Sequence, residues 1–323
     1  MIAKDRRTRD AFTTIELLTV IAIIAVLVAL TTAGVMKVRT AANRAKAANE
    51  AGQLASAIGV FQREKHVNYI PSVIVLRERM DYNASNPVEV ESANYLKQVW
   101  PQVPIALTAG GGVAPAAPFN GIDWNGDGVI AAPNTAWLLE GDQCLVFFLG
   151  GVPSGTGGLR GFSSNPRNPA DATNTKQYFE FSTKNLKLRA AAAYNGFNTY
   201  TATDNNAVNA AGAVGFPSYT DPFGSKPYVF FSASNRKNGY LPFFATLHDC
   251  GTLTGTTFVP YRDTQISPTQ FSCHQPTGFQ IISAGYDKLY GGGGLTGGNT
   301  GSGTPDGDNI TNFSNGQISG LSN

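Results

Sequence analysis

The sequence is short of charge. Lysine, arginine, aspartate and glutamate make up 14% of its 323 residues, against roughly a quarter in an average globular protein. The net charge is only +2. A chain-wide basic footprint is therefore missing, and no nucleic-acid partner is expected. Cysteine is scarce: Cys144, Cys250 and Cys273 are all there is, and an odd count leaves one thiol unpaired or paired between chains. Catalytic signatures are missing too. There is no Gly-x-Ser-x-Gly, no P-loop and no His-Glu-x-x-His, and no set of nucleophile, base and orienting group stands out. His66 lies at the end of a helix and reads as a solvated residue, so the chain is not expected to be an enzyme. No internal repeat of fixed period is visible. What remains is a Gly-rich chain, with Asn, Thr and Ser frequent in its second half. That pattern suits a loop-rich extracytoplasmic domain, and the length allows one sizeable domain plus an anchor.

The strongest signal is at the N-terminus. Lys4, Arg6, Arg7 and Arg9 precede an aliphatic run, and between Asp10 and Lys37 the only charged side chain is Glu16. The uncharged stretch from Leu17 to Met36 reaches the ~20 residues that a membrane-spanning helix needs. It exceeds the roughly 7–15 apolar residues of an ordinary secretory signal, and no small-x-small site follows it. Four basic residues lie on each side, with Lys37, Arg39, Arg44 and Lys46 after the run, so charge counting alone does not orient the segment. A carboxylate at the edge of a membrane helix is expensive unless it is paired or reaches water. Glu16 therefore either snorkels to the interface or serves a purpose. A cut between Ala11 and Phe12 would create such a purpose, because the new α-amino group of Phe12 is a cation that Glu16 of an adjacent subunit can neutralise.

The run Phe12-Thr13-Thr14-Ile15-Glu16-Leu17-Leu18-Thr19-Val20-Ile21-Ala22-Ile23-Ile24 resembles the cleavage and methylation motif of type IV pilins and type II secretion pseudopilins. The resemblance implies a peptidase cut before Phe12, N-methylation of Phe12, and Glu16 as the fifth residue of the mature chain, used in subunit assembly. Ala11 stands where that family usually carries Gly. It also implies a leader in the cytoplasm, a single pass through a bacterial inner membrane, and a mature domain in the periplasm or in an extracytoplasmic filament. The implied partners are the prepilin peptidase, other pilin or pseudopilin subunits, the inner-membrane assembly platform and the membrane itself. The resemblance is strong over residues 6 to about 65, and the chain looks most like a large major-pseudopilin-type protein.

Beyond Met36 the helix is expected to continue. Residues 37–65 lack Pro, and Val38, Ala41, Ala45, Ala48, Ala51, Leu54, Ile58 and Phe61 recur in steps of three and four. A helix from Phe12 to Lys65 would be about 80 Å long. The expected organisation is a basic leader over 1–11, a membrane half-helix over 12–36, its amphipathic continuation over 37–65, an extracytoplasmic α+β domain over 66–290 and a Gly-rich tail over 291–323. Tyr69–Leu76 reads as a loop leading into an extended segment, and Thr108–Phe119 as an exposed loop. The apolar run Gly141–Gly151 must be buried, as helix or strand. Short apolar runs at Tyr178–Phe181, Pro227–Phe231, Tyr240–Phe244 and Phe279–Ser283 suggest an antiparallel sheet with long excursions. The fold class is therefore α+β: a long N-terminal helix packed on a C-terminal antiparallel sheet domain, in a pilin-like layout.

Asp123-Trp124-Asn125-Gly126-Asp127-Gly128-Val129-Ile130 is the best site motif. Oxygen donors alternate at Asp123, Asn125 and Asp127, Gly128 permits a sharp turn, and the Val129 carbonyl adds a ligand. This is the first half of an EF-hand-like calcium loop. Its twelfth position is Asn134, where a bidentate Glu belongs, so either Glu140 or Asp142 folds back or the site is a weak one; the alternative is a plain Asp/Asn/Gly turn without metal. Asp287, Asp306 and Asp308 form a second calcium candidate, on their resemblance to the acidic C-terminal loop of major pseudopilins; the alternative is solvated tail charges. His248, Cys250, Cys273 and His274 offer zinc-ligand chemistry but not its usual spacing. A Cys250–Cys273 disulfide is the favoured reading for an extracytoplasmic chain. Two functions lead at this point, a filament subunit and a helix-anchored adhesin or polysaccharide-binding protein; for a third, a membrane-tethered hydrolase, the sequence offers nothing specific.

Overall fold

The computed structural model describes residues 13–133, 135–154, 158–187, 215–224, 226–237, 239–240, 258–265, 271–296, 306–314 and 317–318. The chain divides into two units, Met1–Asn43 and Arg44–Asn323.

Helix α1 (Thr14–Lys65) opens the described chain. Thr13 and Glu16 start it as a reciprocal cap. The Thr13 N–H and hydroxyl both donate to Glu16 Oε2, at 2.9 and 2.8 Å, and the Glu16 N–H donates back to Thr13 Oγ1 at 3.3 Å. Two of the orphan amides of a helix N-terminus are satisfied in this way. The first unit is the apolar part of this helix. Its Ile, Leu and Val side chains stand uncovered, Ile15 by 72% and Leu30 by 70%. By length and composition this is the one described helix able to cross a membrane.

The second unit begins with the last turns of α1. Ala47, Ala51, Leu54, Ile58 and Phe61 are buried there, in steps of four, three, four and three. The expected stripe holds from Ala51 onward. Below it the inward residue is Ala47, four back from Ala51, while Ala45 stays exposed. The helix ends at His66, which takes φ +53°. The Val67 amide then reaches back to the Gln62 carbonyl at 3.1 Å, the closure expected of a left-handed residue just past a helix end.

After α1 come β1 (Val73–Leu76), β2 (Asp81–Asn83), α2 (Pro87–Val99), β3 (Ala106–Thr108), β4 (Trp137–Glu140) and α3 (Gly141–Gly150). The remaining strands are β5 (Phe162–Ser163), β6 (Thr175–Lys176), β7 (Leu186–Lys187), β8 (Ser218–Tyr219), β9 (Val229–Ser232), β10 (Val259–Gln265), β11 (Phe271–Cys273), β12 (Phe279–Ser283), β13 (Gly293–Leu295) and β14 (Ile310–Thr311). The layout is mixed α+β. The sheet is divided: the widest pieces are the three-stranded β14-β12-β9 and β11-β10-β13, and the pairs are β1-β4, β2-β3, β5-β6 and β7-β8. Most pairings are antiparallel as expected, but β2-β3 and β10-β13 are parallel.

Helix α3 sits at the centre of the core, and all ten of its residues are buried. From Cys144 to Leu149 it is apolar without a break, and such a stretch can only be covered on every side. Phe148 meets Phe61 of α1 edge-on at 5.6 Å, and Phe147 meets Trp124, Phe162 and Phe216 at 5.7, 5.1 and 5.7 Å. A smaller cluster around Val229, Phe231, Phe258, Tyr261 and Tyr290 fills the C-terminal part.

Three segments depart from the sequence reading. Helix α2 lies where no helix is expected. Its signals are Asn86, whose side chain accepts from Val88 N–H, and Pro87 in the first turn. Glu89 in the same turn pairs with buried Arg77 through Nε–Oε2 at 2.7 Å and Nη2–Oε1 at 3.0 Å. Tyr178–Phe181 is not a strand, because the Tyr178 and Phe179 amides both donate to the Leu149 carbonyl at the end of α3. Finally, Gly293–Leu295 lies within the Gly-rich tail expected over 291–323. It pairs with β10 instead, and Gly293 is required there: a Cβ on it would stand 1.9 Å from the Val259 carbonyl oxygen.

Candidate functional site

Three places carry the sequence-predicted residues: the start of α1, the loop from Ile122 to Ala131, and the C-terminal acidic turn. Ala11 and Phe12 lie outside the described residues. Glu16 is exposed at the start of α1 and acts there as the helix cap. Both bonds that its carboxylate accepts from Thr13 fall on Oε2.

The Asp123 loop is held by its own alternating side chains. Asp123 Oδ1 accepts from the Gly126 and Asp127 amides at 2.6 and 3.2 Å, and Oδ2 accepts from Gly128 at 2.9 Å. Asn125 Oδ1 accepts from Asp127 N–H at 3.0 Å, and Asp127 Oδ1 from Val129 N–H at 2.7 Å. Each acid or amide thus bonds the backbone two to five residues on, the way Asx turns chain together. Gly126 is at φ +73°, and a Cβ on it would stand 2.0 Å from the Pro153 carbonyl oxygen. The loop is thereby pressed against the chain leaving α3.

Neither carboxylate expected to fold back does so. Glu140 caps α3 together with Gln143, whose Oε1 accepts the Glu140 amide at 3.4 Å. Asp142 accepts from the Ser218 hydroxyl, inside the core. Asn134, at the twelfth position, lies outside the described residues. The acid that faces the loop is Glu78, from the turn between β1 and β2. Its backbone carbonyl accepts from Ile122 N–H at 2.7 Å and its Oε2 from Ala131 N–H at 2.7 Å. One residue thus ties both ends of the loop. Burial, then the charges of Asp123 and Asp127, push the Glu78 carboxyl up to about 8. The backbone N–H groups of Ala131 and Asn125 offset part of that rise. Sequence reasoning missed Glu78, since nothing in its local pattern ties it to a loop so far along the chain.

In the C-terminal turn, Asp306 is buried and its carboxylate is taken up by the fold. Oδ1 accepts from Tyr261 Oη and Gly293 N–H, both at 2.8 Å, and Oδ2 from Gly292 N–H at 3.1 Å. Asp308 Oδ2 accepts from the Tyr286 and Asp287 amides at 2.6 and 3.0 Å. Asp287 and Asp308 are therefore neighbours. Burial, with the Asp308 and Asp306 charges behind it, holds the Asp287 carboxyl above its ordinary value. Among the described residues, no three His, Cys, Asp or Glu side chains converge as a ready-made metal cluster.

Cys273 is buried in β11, and its expected partner Cys250 lies outside the described residues, as does His248. The His274 ring stacks on Phe313 at 4.7 Å, and its Nε2 lies 3.2 Å from Thr296 Oγ1. Burial pulls its pKa down. Comparison with family models, with curated proteins and with solved structures finds no match.

Proposed function

We propose that this chain is a prepilin-like structural subunit. It is cut between Ala11 and Phe12, N-methylated at Phe12, held in a bacterial inner membrane by the apolar part of α1, and assembled into a type II secretion pseudopilus or a type IV pilus-like filament. The observation that carries the reading is the uncovered apolar helix, whose start bears a single carboxylate, Glu16. An apolar helix of that length has no use for solvent exposure, and a lone acid at its edge needs a partner. In a filament the neighbouring helices cover the apolar surface, and the Phe12 amine of one subunit meets Glu16 of the next. The prepilin peptidase and the inner-membrane assembly platform are the partners this path requires.

The helix cap sharpens the test. Glu16→Gln keeps an acceptor for Thr13 and loses the charge, because Gln serves a reciprocal cap as Glu does. Glu16→Leu loses both, while removing a costly charge from the membrane edge, so insertion is unimpaired. The mature chain is expected to begin at methylated Phe12 by intact mass. Both variants are expected to be cleaved, yet to be depleted from sheared filaments relative to the membrane pool. If cleaved Glu16→Gln assembles like the parent, the charge is not used between subunits. The second reading, a helix-anchored adhesin or polysaccharide-binding protein, then takes its place.

A further inference from the structure

Glu78 is a buried acid that the fold serves on one side only. It is 1% exposed, and its Oε2 bonds Ala131, but Oε1 is buried without a hydrogen-bond partner. An ionisable group left half-satisfied in the interior is a standing cost. The two amides that Glu78 holds, Ile122 and Ala131, bracket the loop that carries Asp123 and Asp127. A divalent cation offsets that cost, because it turns the unpartnered oxygen into a ligand.

The ligand count points the same way. Calcium takes 6–8 oxygens in a flexible shell, including as a rule one bidentate carboxylate. The loop offers side-chain oxygens at Asp123, Asn125 and Asp127 and a carbonyl at Val129. Its contiguous sequence lacks the bidentate acid. The backbone bonds to the Asp oxygens do not exclude metal binding, since each carboxylate oxygen has two lone pairs. Asp127 is exposed and Asp123 half-buried, so an ion can reach both from solvent, while Glu78 is fixed by its bond to Ala131.

We propose that the turn between β1 and β2 and the Asp123 loop form one calcium site, in which Glu78 supplies the carboxylate that the loop's own sequence omits. The site does not depend on filament assembly and holds equally for an anchored binding protein. Magnesium, which demands near-ideal octahedral geometry and dehydrates reluctantly, fits such a shell poorly.

The test uses the full-length chain in detergent, stripped with chelator and titrated with calcium. Terbium serves as a luminescent probe sensitised by Trp124, which lies between two of the ligands. Calcium is expected to raise the melting temperature and to displace terbium, and Glu78→Gln is expected to weaken calcium binding at least about tenfold. In chelator Glu78→Gln should melt no lower than the parent, because Gln keeps an acceptor for the Ala131 amide and never has to ionise in the interior, which separates lost binding from lost folding. The proposal is overturned if the parent shows no calcium response. It is equally overturned if Asp127→Asn abolishes binding while Glu78→Gln binds like the parent. Loss of the response in Asp308→Asn but not in Asp127→Asn would place the ion at the C-terminal turn and overturn it as well.

Discussion

Single buried acids decide much of this protein's response to its surroundings. Asp221 is 1% exposed and accepts from Ser283 Oγ at 2.6 Å and from the Phe223 and Gly224 amides at 3.1 and 3.2 Å. Burial dominates those bonds, with the Glu50 charge adding to it, and its carboxyl is pushed from the ordinary 3.8 up to about 6. The unfolded chain releases this proton near 3.8, while the folded chain keeps it to about 6. Within that window folding takes up a proton, so this residue's contribution falls as pH rises and is lowest above pH 6. Asp221→Asn keeps an acceptor for the two amides and removes the titration. It is expected to be more stable than the parent at pH 7 by up to about 3 kcal/mol, with the gap closing toward pH 4. Denaturant unfolding of the two proteins across that range checks it; a gap that does not change with pH would sink the assignment. At this scale the sequence was legible only where partners are close in the chain. The alternation Asp123, Asn125, Asp127 is a local pattern and could be read. Thr13-x-x-Glu16 is equally local, yet it reads as a helix cap as well as an assembly motif, and only the geometry exposes the first role. Glu78 and Asp221 gain their meaning from residues far along the chain, so no spacing betrays them.

Among the elements, α1 was the most legible, because a long aliphatic run and a stepwise stripe leave few alternatives. The described helix, Thr14–Lys65, starts two residues after the expected Phe12 and ends at the expected Lys65. The run at 141–151 was ambiguous because a fully covered segment shows no periodicity. It became a helix, capped by Glu140 and Gln143 and covered on all sides. Helix α2 was missed although Asn86, Pro87 and Glu89 announce it; the short apolar run before it drew the reading toward extended structure. The two parts of α1 make contrasting predictions. Leu54 is fully buried against the body of the second unit, whereas Val38 is 70% exposed. Leu54→Ala is expected to cost about 2–5 kcal/mol through lost burial and a cavity. Val38→Ala should stay within about 0.5 kcal/mol. Thermal melting of the full chain in detergent compares them, and equal losses would contradict the packing described for α1.

For the whole molecule, the uncovered apolar helix and the well-filled second unit call for different solvents. In cells the full chain is expected to stay with membranes through high-salt and alkaline washing and to be released by detergent. Release by salt alone would rule out a spanning helix and leave only a peripheral association. Glu78 has a consequence of another kind, in time. It leaves the ribosome well before the loop it ties, and Ile122 and Ala131 find their common partner only once the two segments have docked. An ion held by both segments therefore has nowhere to sit during most of the climb to the folded state. Interactions that arrive so late slow escape from the native state and leave the speed of reaching it almost unchanged. Calcium at this site would act as a ratchet on lifetime: the chain would fold at its own pace, and then take far longer to come apart.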